Sequence, residues 1–159
     1  MSFFIASYAA MFRRVGGRRM WLIDMTDPRF LGTDNQAVIE FIRRANPFAH
    51  SDVGSLLLEL GKRITGAHAY SPSYKQYAYV VLHTDVSRIF AIAYGQRGLA
   101  FRLAAPSYSA ALADDGTAAR DIGPDWVAFD PWNPNVSTSE LRARLERWSL
   151  QAFTDSPAA

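Results

Sequence analysis

Residues 75–103 read KQYAYVVLHTDVSRIFAIAYGQRGLAFRL. Tyr77, Tyr79, Val81 and His83 alternate with Ala78, Val80 and Leu82, and a side-chain period of two marks a β-strand. A turn over 84–87 leads into a second apolar run, 88–94. Gly95-Gln96-Arg97-Gly98 then gives a hairpin turn into a third strand over 99–103. Strands joined by connections this short must run antiparallel. The centre of the chain is therefore an antiparallel sheet.

Working outward, the period on the N-terminal side is helical. Thr33 and Gln36 read as a capping box for a helix over 34–45, with Val38, Phe41, Ile42 and Ala45 on its apolar side. A second helix is predicted over 52–64, capped by Ser51 or Asp52. Val53, Leu57, Leu60 and Ile64 recur on it at i, i+4, i+7 and i+11. Gly66 reads as its stop, and 67–74, with Ser71-Pro72-Ser73, as a loop. On the C-terminal side, Pro106 suits the first turn of a helix to about Ala113, with Tyr108, Ala111 and Leu112 facing inward. A loop over 114–125 leads to a fourth strand, 126–129. Ser137 and Glu140 then cap a last helix with Leu141, Leu145, Trp148 and Ala152 on its buried stripe. Glu140–Arg144 and Arg142–Glu146 are its expected i, i+4 ion pairs. The order α-α-βββ-α-β-α predicts an α+β fold, an antiparallel sheet of about four strands packed with helices. The whole chain, 1–159, reads as one domain: a helical part over 1–66, an α+β part over 67–154, and a flexible tail over 155–159.

Length and composition agree. At 159 residues, 49% hydrophobic and 20% charged, the chain has the size and balance of one folded domain and excludes intrinsic disorder. It has no cysteine, so it offers no disulfide, thiolate nucleophile or Cys-type zinc site. That absence fits a cytoplasmic location. No run approaches the length of a membrane span. A signal peptide carries its positive charge ahead of the apolar run, whereas here the arginines follow it.

The net charge of +2 is unevenly spread. Residues 1–79 hold ten basic and six acidic side chains, and residues 80–159 hold seven and nine. The excess sits at Arg13, Arg14, Arg18 and Arg19, in a stretch with no acidic residue before position 24. Such a cluster is a candidate contact for nucleic-acid phosphates. Just before it, Phe4, Tyr8, Met11 and Phe12 share a face at helical spacing behind a Ser2 cap. That apolar helix is a candidate homodimer surface, and Gly16-Gly17 would end it.

Other chemistry is poorly served. His50, His68 and His83 form no i, i+4 pair and have no carboxylate at zinc-ligand spacing, so no metal or cofactor is expected. No nucleophile elbow occurs. Asp114-Asp115 and Asp121, Asp125 and Asp130 lie on Gly/Pro-rich loops that favour solvated carboxylates, so no catalytic residue is assigned. Tyr77, Tyr79 and His83 share one face of their strand. If that face is open, they form with Arg102 a ligand-binding surface or small cleft.

From about Lys75 to Phe153 the chain resembles the YjbR-like (MmcQ-type) family. The matching stretches are Ser87-Arg88-Ile89-Phe90-Ala91 and Leu99-Ala100-Phe101-Arg102-Leu103. Pro106 opening a helix, Trp126-Val127 in a late strand and Trp148-Ser149-Leu150 in the closing helix follow them. Arg102 stands where that family commonly has lysine. The resemblance implies a frataxin-like arrangement and a suggested DNA-binding or regulatory role. The leading expectation is a non-catalytic module for binding or self-association. DNA or RNA binding through the arginine segment, and a small-molecule enzyme with a cleft near His83, are the alternatives.

Overall fold

The computed structural model describes residues 12–15, 18–21, 28–45, 48–72 and 79–157. Strand β1 (Phe12–Val15) pairs antiparallel with β2 (Arg18–Trp21) as a two-stranded hairpin. Of the expected N-terminal helix only Phe12 is described, and it starts a strand; residues 1–11 lie outside the described part.

Helix α1 (Gln36–Ala45) follows a 3₁₀ turn, Thr33–Asn35. Gln36 therefore opens the helix and cannot close a capping box with Thr33; its Nε2 donates to Glu40 Oε1 at 3.2 Å. Val38, Phe41 and Ile42 are buried as expected, together with Ile39, whereas Ala45 is exposed. Helix α2 (Ser51–Lys62) is capped one residue earlier than expected. His50 Nδ1 accepts from Asp52 N at 3.2 Å, so an imidazole takes the role assigned to Ser51 or Asp52. Val53, Leu57, Leu60 and Ile64 are all buried. Gly54 and Gly61 lie seven residues apart on the same helix. A Cβ at Gly61 would stand 2.6 Å from Leu82 Cδ2, and one at Gly54 would stand 3.2 Å from Val80 Cγ2. The missing side chains let α2 settle close on the sheet. The helix gives way at Arg63, its C-cap, and Gly66 (φ +91°) turns the chain three residues later.

The sheet has six antiparallel strands rather than four. They are β3 (His68–Tyr70), β4 (Val80–His83), β5 (Ile89–Tyr94), β6 (Gly98–Arg102), β7 (Thr117–Ala118) and β8 (Trp126–Phe129), in the order β3-β4-β5-β6-β8-β7. The two extra strands are the outermost ones, cut from segments read as loops at 67–74 and 114–125. With three and two residues they are too short for a period to show. Helices α3 (Ala105–Ala113) and α4 (Thr138–Asp155) complete the order. On α3, Ala111 is buried and Tyr108 partly so, but Leu112 is 37% exposed, against expectation.

Both faces of the central strands are filled, giving an α+β sandwich. Val80, Leu82, Leu99, Phe101, Val127 and Phe129 meet α2, α3 and α4 on one side. Tyr79, Val81, Ile89, Ile92, Ala100 and Trp126 meet Phe30 and α1 on the other. Each fully buried aliphatic or aromatic side chain here contributes about 1.5–3 kcal/mol. One irregularity serves this division. Leu82 pairs with Ala91 but His83 with Ile89, so Phe90 is the extra residue of a β-bulge. Phe90 and Ala91 consequently both enter the α2/α4 side while Ile89 and Ile92 enter the other.

Helix α4 bears out its stripe, with Leu141, Leu145, Trp148 and Ala152 buried, and Ser137 Oγ accepts from Glu140 N at 3.3 Å. Its ion pairs differ in part. Arg142 reaches Glu146 at 3.4 Å and also Glu59 of α2 at 2.5 Å. Arg144 turns to Asp114 at 3.4 Å rather than to Glu140. Asp155 is helical rather than part of a tail: it accepts from Ala104 N at 2.9 Å and from Gln151 Nε2 at 2.7 Å.

Candidate functional site

The residues proposed for an aromatic ligand surface are not gathered in the open. Tyr77 lies outside the described residues. Tyr79 is fully buried and His83 is 6% exposed, because Phe30 and α1 cover the face they share. His83 sets its ring edge-on to Phe30, with centroids 5.1 Å apart, and its Nδ1 lies 2.9 Å from Thr84 O. Arg102 sits on the same side of the sheet with its guanidinium engaged. Nε donates to Asp125 Oδ2 at 2.7 Å and Nη1 to Asp34 O at 2.6 Å. This ties β6 to the turn before α1 and to the loop before β8. Tyr79 and His83 are thus part of the fold's interior, and Arg102, partly buried at its edge, is held by its bonds.

The arginine cluster fares differently. The ladder sets Arg14 opposite Arg19, Arg13 opposite Met20 and Val15 opposite Arg18. The four arginines are therefore carried on the two strands of a ribbon, and the expected helix stop at Gly16-Gly17 lies outside the described residues.

Several depressions open among the described residues, two of them of more than 400 Å³. One, of about 440 Å³, lies between α2 and α4 beside the half-exposed Trp132. The charged residue on its wall, Arg142, already has Glu59 and Glu146 as partners. Their hydrogen bonds and charges push the Arg142 pKa up, and Glu59, bonded to Arg142, is held below the usual carboxylate value.

The other depression is a groove of about 460 Å³ where the β4–β5 turn meets the end of α4. Gly66, Thr84, Asp85, Val86, Phe153 and Ser156 are among its walls. The turn is pinned by Asn35, only 3% exposed, whose Nδ2 donates to Ser87 O at 2.7 Å and whose Oδ1 accepts from Ile89 N at 2.9 Å. Ser87 can then hold a φ of 62°. From below, Phe153 crosses Phe90 edge-on at 5.6 Å, so the bulge residue supports the groove's aromatic wall. At the rim, His68 Nε2 lies 2.5 Å from Asp85 Oδ1, and the His68 ring stacks on that of His83 at 5.4 Å.

Arg88 touches this groove through two of its walls. Its main-chain N donates to Thr84 Oγ1 at 3.2 Å and its Nη1 to Ser156 Oγ at 2.7 Å. Partial burial lowers its pKa, the charge of Arg102 lowers it further, and Asp34, Asp125 and Asp155 oppose both.

Sequence reasoning placed a cleft at Tyr77, Tyr79, His83 and Arg102; Tyr79, His83 and Arg102 do not line the groove, which begins at Thr84. That reasoning did not find His68, Asp85 or Arg88. His68 meets Asp85 only through β3, which is too short to read, and Arg88 meets Ser156 only through the close of α4 on the sheet. Among the described residues no group of three or more His, Asp or Glu side chains could hold a metal ion, and no helix is long and apolar enough to cross a membrane. Comparison with protein-family models, with curated proteins and with solved structures finds no match to this chain.

Proposed function

We propose that this protein is a non-catalytic binding module whose arginine-bearing hairpin engages nucleic-acid phosphates. The observation that carries the reading is the β1–β2 register. Ten residues, Phe12 to Trp21, bring four arginines and no acidic side chain onto one two-stranded ribbon. A two-stranded ribbon is one of the elements that the major groove of duplex DNA admits, and arginine suits bidentate contact with phosphate. The sheet favours binding over catalysis in the same chain, because Tyr79, His83 and Arg102 are committed to packing and internal bonds. The YjbR-like resemblance of residues 75–153, with the DNA-binding role suggested for that family, supports the same reading. The frataxin-like arrangement it implies belongs to the proposal.

The test is fluorescence anisotropy with a short DNA duplex over a range of salt concentrations. Four phosphate contacts predict a slope of log K against log salt of about −3.6 on duplex DNA. Removing all four arginines by Arg13→Ala, Arg14→Ala, Arg18→Ala and Arg19→Ala should abolish binding at moderate salt. A quadruple variant that binds as tightly as the parent contradicts the proposal, as does a parent that does not bind.

A further inference from the structure

The groove at the β4–β5 end of the sheet has walls of contrasting chemistry. Val86 is 51% exposed and the Phe153 ring lies opposite in the wall, so the cavity offers apolar surface at both. Asp85 contributes a carboxylate whose side chain is 79% exposed. Its only bonded neighbour among the described residues is His68, leaving Oδ2 open as an acceptor. Thr154 and Ser156 spend their hydroxyl protons on Leu150 O and Ala152 O; Thr154 Oγ1 is left as an acceptor, while Ser156 Oγ already accepts from Arg88 Nη1. Helix α4 ends here, and the C-terminal end of a helix carries partial negative charge.

The surrounding charges are of both signs, with carboxylates in excess. Arg88 and Arg102 are the guanidiniums of this end, and Asp34, Asp125 and Asp155 lie close enough to act on Arg88. With Asp85, four carboxylates face two guanidiniums, and Arg102 already bonds Asp125. Arg88 is not itself a wall of the groove and meets Ser156 through Nη1 alone. An anion would meet acceptors and a negative field. A cation with an apolar body would meet a carboxylate, a hydroxyl lone pair, a helix C-terminus and an aromatic ring, the combination that recognises ammonium.

We propose that this groove binds a small organic ammonium ion, an amine on a short apolar body, with Asp85 as its counter-ion and Phe153 and Val86 around its hydrocarbon. The site is separate from the arginine hairpin and does not depend on nucleic-acid binding. An alkyl amine is protonated at neutral pH, since its pKa is near that of lysine, about 10.4.

Three probes of equal length separate the contributions: n-hexylammonium, 1-hexanol and hexanoate, each titrated into the ¹⁵N-labelled full chain and followed by amide shifts. Hexylammonium should give saturable shifts at Thr84–Val86 and around Phe153–Ser156. Hexanol should bind at least about tenfold more weakly, and hexanoate more weakly still. Asp85→Asn should weaken hexylammonium by about tenfold while leaving hexanol unchanged. Hexanol binding as tightly as hexylammonium overturns the proposal, because the groove would then be merely apolar. So does tighter binding of hexanoate, an unchanged affinity in Asp85→Asn, or the absence of saturable shifts. If Asp85→Asn does not fold, the three-probe series on the unaltered chain decides alone.

Discussion

The centre of the sheet and its β4–β5 end use the same residue types to different purposes. At the centre, Tyr79 and Trp126 are buried, and at the close of β6 Arg102 is tied to Asp125 and to the main chain of Asp34. At the end, Asp85 and Val86 are exposed, and Arg88 has no carboxylate at ion-pair distance among the described residues. Aromatic and charged side chains in a strand are therefore no guide to a site on their own. What separates the regions is whether the chain's own folding has consumed their bonding and packing capacity.

The largest expected effect comes from the centre. Phe101, fully buried under α2 and α4, should cost about 3–5 kcal/mol of unfolding free energy as Phe101→Ala, read by urea denaturation. A loss below 1 kcal/mol would mean that the centre is not the stabilising region. Next comes the link between the two. Asn35 joins the strand end to the turn, and Asn35→Ala leaves the buried Ile89 N–H without its acceptor, which predicts about 1–3 kcal/mol. The same variant should speed hydrogen exchange at Ser87 and Ile89 more than at β6.

Between centre and surface stands Tyr94, on β5 against Phe41, its ring edge-on at 5.2 Å. Burial, aided by the charge of Asp121, pushes its phenol up to about 12. The neutral phenol is the form the folded state favours, so the folded chain holds a proton that the unfolded chain releases near pH 10. This contribution is whole below pH 10 and is lost as the pH rises towards 12. An ultraviolet titration should show Tyr94 ionising later than an exposed tyrosine, and Tyr94→Phe should remove that one late-ionising phenol. The smallest effect belongs to the rim: Val86→Ala should stay within about 0.5 kcal/mol of the parent. A larger loss would show that the groove wall is part of the core.

The central strands and the four described helices were legible, three of the helices because each carries a period long enough to count and Ala105–Ala113 from the proline in its first turn. In α4 the whole stripe from Leu141 to Ala152 is buried as spaced. Two-sided burial of the sheet was also written in the chain. Val80, Val81, Leu82, Ile89, Phe90, Ala91, Ile92 and Ala93 leave no polar position for a solvated face, the mark of a strand covered on both sides. Counting alternation without asking what filled the second set left Tyr79 and His83 as surface candidates. β3 and β7 could not be found this way, since three and two residues define no period. The groove was less legible still: it joins Gly66, Asp85 and Phe153, and only tertiary packing brings them to one place. The cap by His50 was hidden by better-known capping residues beside it.

The uneven charge of the chain gains a location from this. The basic excess lies on the β1–β2 ribbon, while acidic side chains gather where the sheet meets the end of α4. The account's central claim is that the binding surfaces lie outside the central strands. It is tested most directly by mapping amide shifts in the full ¹⁵N-labelled chain as a short DNA duplex is added. The account predicts saturable shifts confined to Phe12–Val15, Arg18–Trp21 and their immediate neighbours, with β4, β5 and β6 unmoved. Shifts centred on Tyr79, His83 and Arg102, with the hairpin silent, would contradict it.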